Sequence, residues 1–478
     1  MQTRSELAFL STTELSDLME RGELSPVELL DHCLERIERL NPQLNAFVLI
    51  LAEQARAQAR DSEDRLRRGE ARPLEGLPVP IKDNVALAGA PMTFSSRMAP
   101  AFDMPVDAEL VARLRRAGAV FPGKTNLPEF GTIPTTEGEV HGPAHNPWDL
   151  TRTPGGSSGG AAAAVSSGMC PIAHGNDGGG SLRVPAACCG LFSMKPSRGR
   201  VTPGPLATEK FGALNINGFI SRSVRDNARF LDVIAGTLPG DPFPAPPPMK
   251  SFEDEALTEP APLRIAWTTD GPLDVPVHPA HAAALRDAAE LCASLGHQVD
   301  EATPDWRDDM VAVLFIQLWA SVIGSDVDLL EELGGDPTTI EPHNRALHEF
   351  GKEISANQLG VTMSKLRQYA WRVGAFWERF DVLLTPTTSE PPLKLGAHFE
   401  LAADDPLFPL NRAGVWIPCL PLINVTGQPA ANLPLSWHED LPIGIQAIGR
   451  IHDEATLYRL SAQLEAARPW ADRRPPIA

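Results

Sequence analysis

Apolar residues Leu29, Leu30, Cys33, Ile37 and Leu40 recur at three- and four-residue spacing, the period of a helix with one buried face. Ser25, Pro26 and Glu28 supply its start: an N-cap hydroxyl, a proline at N1 and a carboxylate that completes a capping box. Further helices are expected over about residues 51–68 and 108–117, with short apolar runs between them. Pro78-Val79-Pro80-Ile81-Lys82-Asp83-Asn84 reads as a buried strand that delivers Lys82 at its end, and Ala119-Val120-Phe121 as another strand. The alternation runs to about residue 235, which implies α/β layers. Residues 238–262 hold eight prolines in 25 positions and read as a surface linker. Beyond it, Leu263-Arg264-Ile265-Ala266-Trp267 predicts a strand, 279–295 a helix, and the run from Phe380 to Thr387 a strand ending at a turn. Residues 306–378 are largely helical; their aromatics Trp306, Phe315, Trp319, Trp371, Phe376 and Trp377 read as the core and surface of a helical cap without catalytic groups.

Composition narrows the function classes. The chain is 478 residues long, 43% apolar and 22% charged, enough for a substantial core. Against 61 acidic residues stand 42 basic ones, a formal charge of −19, and no basic run interrupts the excess. That balance disfavours nucleic acid and anionic membranes as partners and suits an enzyme of small molecules. The opening MQTRSELAFLSTTELSDLMERGEL mixes charges into short apolar groups, so neither a signal peptide nor a membrane anchor is expected, and the expected location is cytoplasmic. Six scattered cysteines, with no C-x-x-C pair, predict buried thiols rather than a disulfide framework or a zinc site. No metal or cofactor is expected.

The candidate chemistry is concentrated at residues 154–190. Ser157 and Ser181, 24 positions apart, each sit among glycines: Gly155, Gly156, Gly159 and Gly160 around the first, Gly178, Gly179 and Gly180 before the second. Glycine in such density suits backbone amides brought close to a ligand, where they can stabilise a developing negative charge. A nucleophilic serine also needs a base. Gly155-Gly156-Ser157-Ser158-Gly159 fits G-x-S-x-G formally, but no apolar strand leads into it, and His141, His145 and His174 come without an acid partner in the expected chain order. Lysine can replace histidine where burial lowers its pKa, and Lys82 at an apolar strand end fits that role as well as that of an ion-paired core residue. A phosphate-cradling loop fits poorly, because Gly123-Lys124-Thr125 lacks the upstream glycine of a P-loop.

The run Gly155-Gly156-Ser157-Ser158-Gly159-Gly160, followed by Asp177-Gly178-Gly179-Gly180-Ser181-Leu182-Arg183-Val184-Pro185-Ala186, resembles the signature of the amidase signature family of serine hydrolases. The likeness extends to GLPVPIKDN at 76–84, GKTNLPEF at 123–130, Asn146-Pro147-Trp148, and Pro442-Ile443-Gly444-Ile445-Gln446, and is weakest at about 240–380. It implies an α/β fold with a large mixed sheet covered by helices on both faces. It also implies one domain over 1–478: a helical part at 1–70, the signature core at 71–237, the linker at 238–262 and a second half at 263–478 carrying the cap at about 306–378.

Carried onto this chain, the resemblance implies a catalytic triad of Lys82, Ser157 and Ser181. Ser181 would be the nucleophile, and Ser157, on a cis peptide, would relay its proton to Lys82. The N–H groups of Gly178, Gly179, Gly180 and Ser181 would form the oxyanion hole, with Asp177 and Arg183 bracing the loop. Gly131, Thr132, Ile133 and Pro134 would line the acyl side, and residues 201–217 around Phe211 would be either a gate over the site or a surface loop. Glycine at Gly178 and valine at Val184 depart from glutamine-amidotransferase subunits and resemble the branch of 6-aminohexanoate-cyclic-dimer hydrolases and related bacterial amidases. The implied substrate is a small, mostly neutral amide, or a carbamate or ester by the same acyl-serine route, handled by a monomer or homodimer.

Overall fold

The computed structural model describes residues 4–99 and 102–478, and it leaves the side chains of Arg4 and Ser5 in the helix Arg4–Leu7, and of Lys210 and Phe211 in the helix Lys210–Ala213, outside the described residues. The first predicted helix forms as Pro26–Leu44, with the Ser25 and Glu28 side chains each capping the other's backbone N–H, and Leu29, Leu30, Cys33, Ile37 and Leu40 are all buried. The next two form as Ala52–Arg67 and Glu109–Arg116.

Three short strands make a small sheet in the order β1 (Phe47–Ile50), β3 (Gly123–Thr125), β2 (Ile81–Lys82). The strand expected through 78–84 is only two residues long because Pro78 and Pro80 have no N–H to give a ladder; around them Val79 N–H donates to Val120 O and Val120 N–H to Leu77 O. The strand expected at 119–121 is likewise a single bridge at Val120, and regular pairing starts only beyond Pro122. After the hairpin β4 (Glu137–Gly138) and β5 (Gly142–Pro143) come the strands of the main sheet: β6 (Ile172–Asp177), β7 (Phe192–Lys195), β8 (Ile216–Ser221), β9 (Arg264–Trp267), β10 (Gln298–Glu301), β11 (Val382–Pro386), β12 (Ala430–His438) and β13 (Leu441–Gly449). They run in the order β10-β9-β11-β13-β12-β7-β8-β6, with β10, β9 and β11 parallel and the remaining neighbours antiparallel.

Successive residues of these strands feed two cores on opposite faces. Ile172, Ile265, Val382, Leu384, Ala431 and Ala447 join one cluster with the helices Val224–Ile234, Pro279–Ser294 and Glu454–Ala467. Their chain neighbours Ala173, Ala266, Leu383, Ala430 and Ile448 join the other with Gly159–Ser166, Arg183–Cys189, Val311–Glu332 and Leu420–Thr426. A mixed sheet with helices on both faces therefore follows from period-two burial of nearly continuous apolar strands.

The proline-rich segment is more than a surface linker. Its second half forms the helix Phe252–Ala256, and Phe252 is buried in the first core against Tyr458. Val311–Glu332 is the one helix among the described residues long and apolar enough to cross a membrane by length and composition; 44% of that window is buried in the fold.

Candidate active site

Two helices and one strand converge behind the glycine clusters. The helix Gly159–Ser166 begins just after Ser157, β6 ends at Asp177, and the helix Arg183–Cys189 begins just after Ser181. The Gly156–Ser157 peptide is cis. Ser158 N–H donates to Ser181 O at 3.3 Å, which ties the two serine turns together. Gly131, at φ +72°, leaves room for the first serine, since a Cβ there would lie 3.0 Å from Ser157 Oγ.

Lys82 is fully buried, and its Nζ donates to Ser157 Oγ and to Asn176 Oδ1, each at 2.7 Å. Burial pushes its pKa down to about 7 against a weaker opposing pull from Asp177, so near neutrality the amine is available as a base. Asn176, whose role the sequence does not announce, donates from Nδ2 to Asn84 Oδ1 at 3.0 Å, which turns its Oδ1 toward the lysine. Its position one residue before Asp177 on β6 is the only signal that could have singled it out.

None of the three histidines considered serves either serine. His174 receives the Lys82 N–H at Nδ1 (3.4 Å) and approaches Asn217 Oδ1 through Nε2 (3.2 Å), and burial drives its pKa down to about 3. His141 approaches Thr93 and His145 the Leu150 carbonyl.

Asp177 and Arg183 form a fully buried ion pair at 2.9 Å, and burial of the carboxylate is overcome by that guanidinium, which holds its pKa well below the usual range. Arg183 also donates to Gln446 Oε1 (2.5 Å), Asn424 Oδ1 (2.6 Å) and Leu420 O (3.2 Å), fastening the turn to β13 and to the helix Leu420–Thr426. The bond from Gly180 N–H to Asp177 Oδ1, at 2.7 Å, corrects the expected oxyanion hole. That amide is already committed, because Gly180, at φ +127°, turns its N–H back onto the carboxylate. Gly179 and Ser181 N–H have no acceptor among the described residues. No hydrogen bond joins the Ser157 and Ser181 hydroxyls among the described residues.

Ser181 opens into a cavity of about 250 Å³ walled by Gly131, Thr132, Ile133 and Pro134 on one side. On another side stand Phe315, Ile316 and Trp319 of the helix Val311–Glu332, so the presumed cap without site residues supplies part of the wall. Phe315 and Trp319 stack at 5.4 Å with their planes 23° apart. A Cβ on Gly178 would lie 3.2 Å from Trp319 Cη2, so glycine at this position is what lets the indole rest on the turn. No ionisable side chain among the described residues lines the cavity; Ser181, Thr132 and Asn411 bring hydroxyl or amide groups. Thr132 is held in place by donating to Asn344 Oδ1 at 2.8 Å. The segment 201–217 does not line this cavity among the described residues; its Gly212 and Leu214 border a different groove, and the Phe211 side chain lies outside the described residues.

The model of the family described as Amidase matches residues 28–458. Among curated proteins, AmiB2 of Mycobacterium tuberculosis is 38% identical over 99% of both chains. The 6-aminohexanoate-cyclic-dimer hydrolase of Paenarthrobacter ureafaciens is 36% identical over 97% of this chain and 96% of its own. Among solved structures, a 6-aminohexanoate cyclic dimer hydrolase superposes with TM-score 0.90 at 33% identity, covering 98% of this chain and 99% of that one. A bacterial aryl acylamidase of the amidase signature family superposes with TM-score 0.88 at 26% identity over 97% of both. Match length and fold agree with the paired glycine–serine turns around a buried lysine: the chain belongs to the amidase signature family and is a hydrolase of amide C–N bonds.

Proposed function

We propose that this enzyme cleaves small, neutral, largely apolar amides through an acyl-serine on Ser181, with Ser157 and Lys82 as its proton relay. The observation that carries the reading is a serine at the wall of an apolar cavity, one turn from a second serine held 2.7 Å from a buried lysine whose pKa is lowered to about 7. Neutral Lys82 takes the Ser157 proton while the Ser181 hydroxyl, by rotation about its Cα–Cβ bond, gives its own proton to Ser157 and attacks the carbonyl. The oxyanion then forms against the amides of Gly178, Gly179 and Ser181, while Asp177, by holding Gly180, fixes the turn that presents them. The relay returns the proton to the leaving amine, and water repeats the path to release the acid. With the Asn176 carbonyl accepting one N–H, the lone pair of the neutral amine is directed at Ser157.

The wall selects the substrate. A stacked Phe315–Trp319 pair beside the turn suits an aryl or flat amide group, and among the described residues no ionisable lining group compensates a substrate carboxylate or ammonium. Hydrolysis of a 4-nitroanilide, its matched 4-nitrophenyl carbamate and a charged linear oligoamide tests this. Turnover of the anilide at least about tenfold above the charged amide is expected. A preference for the charged substrate would refute the reading, and the anilide-to-carbamate ratio decides between amidase and urethanase use of the site.

A further inference from the structure

A second groove, of about 820 Å³, lies on the other side of the helix Val311–Glu332 from the substrate cavity; Leu318 borders it while Phe315 and Trp319 border the first. Its walls are apolar over much of their extent, through Phe243, Leu318, Met363, Leu366 and Trp371. Three guanidinium groups, those of Arg198, Arg367 and Arg450, also face it. Arg450 pairs with Asp381 at 2.9 Å, a carboxylate it shares with Arg264. The other two have no carboxylate within ion-pair distance among the described residues, although the chain as a whole carries nineteen excess negative charges. Glu378 is also on the wall but pairs with none of the three.

Arg198 is held by peptide carbonyls, which orient it without cancelling its charge: Nε donates to Ala213 O (3.2 Å) and Nη2 to Asn424 O and Val425 O (2.8 Å each). Burial, reinforced by repulsion from Arg367, lowers its pKa against a weaker attraction from Glu209. Both guanidinium groups face the same groove and the Arg198 charge feels that of Arg367, a repulsion that an anion between them would relieve. Two polar atoms of the same wall, Trp377 Nε1 and Gln428 Oε1, are shielded from solvent and have no hydrogen-bond partner among the described residues. The volume is that of a small-molecule site, and its mixture of apolar wall and cationic groups matches an oxyanion on an apolar body.

We propose that this groove binds an amphipathic carboxylate, its charge between Arg198 and Arg367 and its apolar body against Leu318, Met363, Leu366 and Trp371. The groove is separate from the substrate cavity, whose described lining has no cation for such an anion. The Asn424 whose carbonyl holds Arg198 also donates through its side chain to Asp177, so the bound anion would sit one residue away from the brace of the nucleophile turn.

Isothermal titration of the full-length enzyme with sodium 4-phenylbutyrate and with 4-phenyl-1-butanol, at low and moderate salt, tests the proposal. One site is expected for the carboxylate, with the alcohol weaker by about tenfold or more and the carboxylate weakening as salt rises. Arg367→Glu, at an exposed side chain that makes no hydrogen bond or ion pair among the described residues, should weaken the carboxylate at least about tenfold while leaving anilide turnover unchanged. Ala370→Trp, which fills the groove without altering its charge, should weaken both ligands; circular dichroism of each variant confirms that it is folded. Equal affinity for carboxylate and alcohol, unchanged carboxylate binding in both folded variants, or no binding at millimolar ligand would overturn the proposal. Each readout is a binding constant, independent of whether Ser181 is the nucleophile.

Discussion

Replacing Asn176 by aspartate tests the proposed base without touching either serine. In the wild type a neutral carbonyl oxygen accepts from Lys82 Nζ at 2.7 Å, and burial leaves the lysine pKa near 7. A carboxylate of the same shape would put a full negative charge at that distance. Coulomb attraction at 2.7 Å is about 6 kcal/mol at an effective dielectric constant of about 20, which would correspond to roughly four pKa units. The new carboxylate bears its own desolvation cost and competes for the same proton, so a rise of about two to three units is the expected net effect. At pH 7.5 the free-amine fraction would fall from about three-quarters to between about 3% and 0.3%, and kcat/KM for an anilide would drop roughly 25-fold to a few hundredfold. The decisive assay is the pH profile of kcat/KM. The ascending limb, near pH 7 in the wild type, should move to about pH 9–10 in Asn176→Asp, with most activity recovered above it. A uniform loss with an unmoved limb would show that Asn176 only supports the fold, and an unchanged profile would remove Lys82 as the base.

Ser181→Ala should lower kcat by on the order of 10⁴ or more with little change in anilide affinity, measured by single-turnover kinetics and binding; retained turnover would exclude Ser181 as nucleophile. Trp319→Ala should reduce kcat/KM for an anilide roughly ten- to a hundredfold, and for an acetamide of similar acyl group much less, because only the aryl group loses the indole wall. Arg183→Met leaves Asp177 buried without its cation and should cost about 3–5 kcal/mol in urea unfolding, along with most activity; a stable variant would show that the turn does not depend on this pair. Lys82→Met reverses the usual sign. The unfolded lysine keeps its proton up to about pH 10.5 while the folded one releases it near 7, so wild-type stability rises across that window and is most penalised below it. The variant, though inactive, should therefore be more stable than wild type at pH 6 by up to a few kcal/mol, the gap closing toward pH 10 in denaturant titrations.

Local rules were strong enough to make much of this molecule readable along the chain. The capped helix Pro26–Leu44, β9, β11 and the helix Pro279–Ser294 follow from caps and periodicity, because their apolar faces repeat at one fixed period and their ends carry turn chemistry. Glycines massed around Ser157 and Ser181, together with a lysine closing an apolar run, marked the chemistry because few other needs explain so many unsubstituted backbones beside hydroxyls. Only the tertiary structure decided what each group does to its neighbours. Lys82, Ser157 and Asn176 are 75 and 94 positions apart from the lysine onward, and β6 and the cis turn bring them to 2.7 Å. Whether an amide such as Gly180 N–H is free or already bonded depends on where Asp177 points, which no spacing encodes. A helix such as Val311–Glu332 looks like plain core in sequence because apolar residues facing a cavity and those facing a core are chemically alike. Which of the two they face is set by elements up to about two hundred residues away, and in this fold that choice fixes both the wall of the cavity beside Ser181 and the groove behind it.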